Sequence, residues 1–351
     1  MTSLARFTPL SLLPRGSCNF LALDSAAPIE VEFASMQTHS ETSLVEEVCL
    51  PFLKAARNDD GGWGFHAGSE SRVEATAWAV LALTETGSSR DLCEAAYGYL
   101  RATQLPDGSW PPSRAQSAGC WATSLACWAL SRNSESQKSV AAGLRWICDD
   151  WPRDVNLIQR VIQKISWGKE KEVVSQNASL HGWGWTPWTA SWVEPTAFAL
   201  IAFDQASVQI LPPEAARRRK LAKAMLYNRM CPGGAWNCGN PMVYGVPGDP
   251  LVEPTVWALL ATRDEPRRPE NLMSIEWLEK NLPLIRSARS LALAKLCWDT
   301  YGREWPAHLV SFRELHGKNE FLNNVPAMAW TSLALCSGRK WLQAIEREKH
   351  N

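Results

Sequence analysis

Apolar positions in this chain fall into two kinds of run. One kind is apolar around nearly its whole circumference: VEATAWAVLAL at 73–83, VEPTAFALIAF at 193–203 and VEPTVWALLAT at 252–262. CWATSLACWAL at 120–130, PAMAWTSLAL at 326–335 and RSLALAKLCW at 289–298 repeat it more loosely. A helix apolar all round is buried on all sides. The second kind is amphipathic. Leu92, Ala96, Leu100 and Thr103 recur at helical spacing, with Arg90, Asp91, Glu94 and Arg101 on the wet side. Segments 140–151, 213–229 and 270–282 read the same way. Buried and amphipathic helices alternate, and no convincing period-2 strand appears. The pattern predicts an all-α fold, an (α/α)6 toroid or barrel of alternating inner and outer helices. Region 152–180 interrupts the alternation and predicts an extra helix over 155–167 followed by a polar loop.

The turns carry a second periodicity. AARNDDGGWGF (55–65), RATQLPDGSW (101–110), HGWGW (181–185) and NRMCPGGAWN (228–237) each precede an apolar run. Asp-Gly makes a tight turn, and glycine supplies the positive φ. The Trp that follows is expected to cover the end of the outer helix, its indole N–H meeting a carbonyl there.

Composition narrows the function classes. Hydrophobic residues make up 46% and charged residues 21%, enough for a sizeable core, and the formal net charge is zero. No basic stripe suits a nucleic acid. The nearest cluster, Arg217, Arg218, Arg219 and Lys220, reads as a solvated start to an outer helix. Ten scattered cysteines without a CxxC fit reduced thiols and a cytoplasmic location. No run is long and apolar enough to span a membrane. The weakly patterned 1–43 reads as a poorly ordered tail and 44–351 as the toroid domain.

With the turns in view, the sequence resembles the squalene-cyclase and prenyltransferase repeat family. YLRATQLPDGSW resembles that family's QW motif through Tyr99, Gln104, Gly108 and Trp110. DDGGWGF and PGGAWN resemble it without the Gln, and PGDPLVEPT at 247–255 is similar to a loop before inner helices there. The resemblance covers 45–336. It implies an (α/α)6 barrel, an apolar cavity suited to an isoprenoid chain, and terpene cyclase or isomerase chemistry begun without a metal or cofactor. A single barrel also suits a small substrate, a peripheral membrane contact or a partner subunit.

Such chemistry needs an acid in an apolar pocket and aromatic faces for the cations that follow. Aligning the family's DxDD-Thr-Ala pattern on Thr196 and Ala197 puts Glu194 at the donor position. Trp192 and Pro195 then replace the flanking acids. Val-Glu-Pro-Thr-Ala is thus more similar to the single-acid form, which protonates an epoxide. Glu253 and Glu74 hold the same place in their own repeats. Each glutamate equally suits a helix start, where a carboxylate meets the positive end of the dipole. Acid and helix-start roles both stand on the sequence alone. Of 19 tryptophans, Trp78, Trp128, Trp257 and Trp330, with Phe198, lie on inner-helix runs and are candidates to contact substrate. Trp185, Trp188 and Trp192 crowd Glu194 in sequence and join them.

Other chemistry is excluded or weaker. DDWPRD at 149–154 is one residue too long for an Asp-rich magnesium motif, and Pro152 breaks its helix. Asp91 and Cys93 have zinc-ligand spacing but lie on an outer helix without a suitable His. His66 and His181 read as turn residues. A non-catalytic isoprenoid- or partner-binding member of the fold is the alternative. A glycoside-active toroid using paired carboxylates comes third.

Overall fold

The computed structural model describes residues 41, 43–150, 176–177, 179–243, 245–306, 309–319, 321–336 and 341–342. The chain divides into two units, Met1–Thr38 and His39–Asn351, and all described residues lie in the second. The predicted tail, up to residue 40, and the helix expected over 155–167 lie outside the described residues.

Twelve helices alternate in role among the described residues. A π-helical turn, Val45–Cys49, runs into α1 (Leu50–Ala55). Then come α2 (Val73–Glu85), α3 (Arg90–Thr103), α4 (Ala122–Leu130) and α5 (Gln137–Asp149). The series continues with α6 (Val193–Gln205), α7 (Ala215–Asn228), α8 (Val252–Ala261) and α9 (Pro269–Asn281). It ends with α10 (Ala288–Thr300), α11 (Phe312–Gly317) and α12 (Val325–Cys336). The even-numbered helices are the six apolar runs. Each packs on the next, α2 on α4, α4 on α6 and so on to α12, which packs back on α2. This closes the inner ring. Each odd-numbered helix from α3 to α11 packs outside the inner helix before it in sequence, and the segment 45–55 covers α12. First outer and last inner helix thus complete the toroid.

The fold follows from the two kinds of run. Ten of the thirteen residues of α2 are buried, including the small Ala75, Ala77, Ala79 and Ala82 that let neighbouring helices approach. Outer α3 buries only Cys93, Ala96, Tyr97, Tyr99, Leu100 and Thr103, one face at helical spacing. A two-residue hairpin, β1 (Met242–Val243) against β2 (Val246–Pro247), decorates the loop before α8.

One device repeats at four of the turns. The indole nitrogens of Trp63, Trp110, Trp183 and Trp236 donate to carbonyls of Leu53, Leu100, Ile147 and Leu226 at 2.6–2.8 Å. Each acceptor lies within the last turn of an outer helix, where carbonyls lack intrahelical partners. The backbone N–H of the same four tryptophans donates to Thr76, Thr123, Thr196 and Thr255 Oγ1 at 2.9–3.0 Å. Each Trp thereby ties the end of one helix to the start of the next. Gln104 adds a lateral tie, donating to Gly108 O and Ser139 O at 2.9 Å.

The Arg217–Lys220 cluster opens an outer helix as expected, with Arg217 and Lys220 exposed, but two of its members differ from the expected solvated role. Arg218 is buried, its guanidinium 4.5 Å from the Trp183 ring and donating to Asp150 O at 2.6 Å. Arg219 pairs with Asp204. The nine described cysteines are unpaired thiols, seven of them buried as small hydrophobes.

Candidate active site

The inner helices all start at one end of the toroid, which forms a mouth. Glu74, Glu194, Glu253 and Arg289 are each the second residue of an inner helix, α2, α6, α8 and α10. Four residues later on the same helices stand Trp78, Phe198, Trp257 and Leu293, and Trp330 has the matching place on α12. Residues four apart share a helix face one turn on. Polar groups at the mouth therefore stand above an aromatic layer.

That layer is continuous. Trp78 stacks on Trp257 at 5.5 Å between centroids and 29°. It meets Trp128, Trp330 and Phe198 edge-on at 5.4, 5.2 and 6.3 Å. Phe198 and Trp257 are 4.9 Å apart. Toward the mouth, Trp121 lies 5.7 Å from Phe198, and Trp185 meets Trp121 edge-on at 5.1 Å. Rings at these separations touch. The axis is thus filled at this level, where an open apolar cavity was expected, because five bulky aromatic side chains converge from five helices. The indole nitrogens of Trp128, Trp257 and Trp330 are buried without a hydrogen-bond partner, unlike those of the turn tryptophans.

The four polar groups have distinct environments. Glu253 is fully engaged: Arg289 Nη2 lies 3.1 Å from Oε2, and Ser290 Oγ donates to Oε1 at 2.9 Å. The Arg289 guanidinium also sits 4.5 Å from the Trp330 ring. Glu74 faces the Trp78 indole one turn on. Burial raises its carboxyl pKa, while Arg289 and that indole pull the other way. Glu194 accepts no hydrogen bond and forms no ion pair among the described residues. Burial first, then the charges of Glu253 and Glu74, push its pKa up to about 7 against the pull of Arg289. None of the three glutamates accepts a bond from a helix-start N–H among the described residues. What remains of the helix-start role is the interaction with the helix dipole.

The other predicted residues are dispersed. Trp185 joins the aromatic set through Trp121. Trp192 is the residue before α6 and bridges to Trp183 through backbone. Trp188 is 58% exposed at φ +64° and lies outside the aromatic layer. Arg289 and Trp121 escaped sequence reasoning. Both were detectable by register, since Arg289 occupies the glutamate position in RSLALAKLCW and Trp121 precedes Ala122 and Thr123 as Glu74 precedes Ala75 and Thr76.

No family model matches the chain. A drimenyl diphosphate synthase from Streptomyces showdoensis is 26% identical over 234 residues, 56% of this chain and 43% of that protein. A second, from Streptantibioticus cattleyicolor, is 40% identical over 68 residues, 19% of this chain and 13% of that protein. The matches thus span less than half the length of these curated relatives. Among solved structures, a variant of the type II terpene cyclase MstE from Scytonema, in complex with merosterolic acid A, superposes with a TM-score of 0.51. It is 15% identical, over 87% of this chain and 99% of that one. The chain therefore shares the fold of that cyclase. The family 8 endoglucanase Cel10 from Klebsiella pneumoniae superposes at 0.50 with 13% identity, over 83% of this chain and 98% of that one. Since the toroid is shared between cyclases and glycosidases, the fold alone does not choose the reaction. The partial sequence matches are to drimenyl diphosphate synthases. Among the described residues no group of His, Cys, Asp and Glu could hold a metal ion, and no helix is long and apolar enough to cross a membrane.

Proposed function

We propose that this chain is a terpene cyclase of the class II type, with Glu194 as the proton donor at the mouth. The reading rests on one observation. Of three carboxyls in equivalent positions, Glu194 forms no hydrogen bond or ion pair among the described residues and has a phenyl ring rather than an indole one turn on, and its pKa of about 7 leaves about half of it protonated at neutral pH. In the proposed reaction Glu194 transfers its proton to a terminal alkene or epoxide of a linear isoprenoid. The adjoining carbon is left cationic, and an internal double bond attacks it to close a ring. Loss of a proton from carbon ends the sequence, and Glu194 is reprotonated from solvent. Trp78, Phe198 and Trp257, one turn below the glutamates and packed on one another, are the aromatic surface nearest to the developing positive charge. A carboxyl of raised pKa is a weak acid, which favours an epoxide or an activated alkene. Glu253 serves as a fixed negative neighbour, held by Arg289 and Ser290. The named product of the curated relatives, drimenyl diphosphate, supports a prenyl diphosphate as one substrate class.

Apolar side chains stand exposed on loops leading into the inner helices, among them Trp188, Leu251, Leu284 and Leu322. This rim suits peripheral contact with a membrane carrying the substrate. One observation favours a second reading, a non-catalytic isoprenoid-binding member: the aromatic rings fill the axis they were expected to line. Incubation with farnesyl and geranylgeranyl diphosphate, squalene and oxidosqualene separates the readings. A cyclised product from wild type, lost in Glu194→Gln, is expected. Product undiminished by Glu194→Gln would remove the acid assignment, and binding without product would favour the second reading.

A further inference from the structure

The cation at the mouth is placed to decide how the carboxyls beside it behave. Arg289 stands on α10 at the repeat position that holds Glu74, Glu194 and Glu253 on their own helices. Its helix packs on α8 to one side and on α12 to the other. The guanidinium uses both neighbours. Nη2 lies 3.1 Å from Glu253 Oε2 on α8, and Cζ lies 4.5 Å from the centroid of the Trp330 ring on α12. The other oxygen of Glu253, Oε1, accepts from Ser290 Oγ, also on α10, at 2.9 Å. Both oxygens of Glu253 are thus taken by α10. Helix α6, which carries Glu194, packs on α8 from its other side in the ring.

Two carboxyls on neighbouring helices with nothing to hold either one share a proton and titrate as a pair. Glu194 and Glu253 occupy the same place on adjoining helices, and after burial the charge of Glu253 is the next cause holding Glu194 above the ordinary carboxylate range. The other groups around Glu194 come from several elements. Helix α2 brings Glu74 and α10 brings Arg289. The turn before α8 brings the Cys238 thiol, which lies in the field of Glu194. Helix α4 carries no acid or base in its first turn. Arg229, just past α7, donates to the carbonyls of Ser191 and Gly239 at 3.3 and 3.2 Å. Asp150, just past α5, lies in the field of Arg218. Arg289 therefore pulls on Glu194 from a distance, while its bond is to Glu253.

We propose that Arg289 is a positioning residue for the proton donor: it draws Glu253 to α10 and so keeps Glu194 a single acid instead of one half of a carboxyl pair. The donor role of Glu194 rests on the function proposed above. The clamp rests on the bonds of Arg289 and Ser290 to Glu253. Without Arg289, Glu253 is free to turn to α6 and share the Glu194 proton. The pair then holds its last proton more tightly than Glu194 does, and gives it up less readily to an alkene or epoxide.

The test reads the titration of Glu194 without any substrate. The full chain as wild type, Arg289→Gln, Arg289→Lys and Glu253→Gln is compared in each case with the same protein carrying Glu194→Gln, by thermal unfolding across pH. The pH at which the two melting temperatures of each comparison diverge marks the loss of the Glu194 proton. Arg289→Gln is expected to raise that midpoint by about one pH unit, and Arg289→Lys to restore it toward wild type. Glu253→Gln is expected to lower it by about one unit, and in that background Arg289→Gln is expected to move it less than half as far as in wild type. An unmoved midpoint in Arg289→Gln would overturn the proposal, as would an equal shift with and without Glu253. Should Arg289→Gln not fold, Glu253→Gln carries the test, and a midpoint at the wild-type pH overturns the proposal. Product formation from oxidosqualene and farnesyl diphosphate is read separately. Midpoints that move as expected, with no product even from wild type, would uphold the clamp and defeat the cyclase reading. A rate whose upper pH limit follows the midpoints would uphold both.

Discussion

Glu74, Glu194 and Glu253 are one residue type at one repeat position, yet their surroundings separate them. Around the ring, Glu253 neighbours α10 and meets Arg289 and Ser290. Glu194, on α6, has α8 with its own glutamate on one side and α4 with Trp121 on the other. A like charge and an apolar neighbour both disfavour ionisation. The consequence for stability has a definite sign. Glu194 holds its proton to about pH 7 when folded, against a reference of 4.5. Between these values the folded chain binds more protons than the unfolded chain, so this stabilisation is lost as pH rises from 4.5 through about 7. Glu194→Gln removes the loss. At pH above 7 the variant is expected to unfold at a higher temperature than wild type, by on the order of 1–3 kcal/mol, with the two converging near pH 5. Thermal unfolding followed by circular dichroism across pH checks this. A variant less stable than wild type at high pH would mean that the carboxylate is stabilising there.

At the scale of elements, the turns explain why the helices alternate so regularly. Gly108 sits at φ +92°, and a Cβ there would lie 2.8 Å from Ala142 O on the neighbouring outer helix. Gly108→Ala is therefore strained in backbone and in space and is expected to cost about 1–3 kcal/mol in urea unfolding. Trp110→Phe keeps most of the ring but leaves Leu100 O without its donor, an expected loss of about 1–3 kcal/mol. Much of this was legible in sequence. All six apolar runs are the inner helices, and the turn Trp does donate to the end of an outer helix. The short α11 was not legible, because its six residues show too little periodicity to read. Nor was the threonine tie, since a buried Thr in an apolar run looks like filler until its hydroxyl is seen to accept from Trp N–H. Arg218 read as solvated because its partner, Trp183, lies 35 residues earlier in sequence. The filled axis escaped for a similar reason. Which of several inward tryptophans meet depends on how six helices converge, which no local pattern encodes.

On the scale of the whole molecule, the two ends of the toroid differ. One end carries Glu74, Glu194, Glu253 and Arg289 and most of the exposed apolar side chains; the other carries the ion pairs of Arg132 with Glu85 and of Asp204 with Arg219 and Arg263. If the mouth faces a lipid surface, Leu251→Glu with Leu284→Glu, placing two charges on the exposed rim, is expected to abolish flotation with liposomes while leaving thermal stability unchanged. Flotation equal to wild type would place the contact elsewhere. At the mouth, the proposed role of Glu194 is to start a cyclisation from a lone carboxyl above an aromatic layer. It is tested most directly by product analysis of wild type and Glu194→Gln with farnesyl diphosphate and oxidosqualene across pH. Wild type is expected to give a cyclic product at a rate that falls as pH rises past about 7, and Glu194→Gln none. The same product at the same rate from both proteins would contradict it.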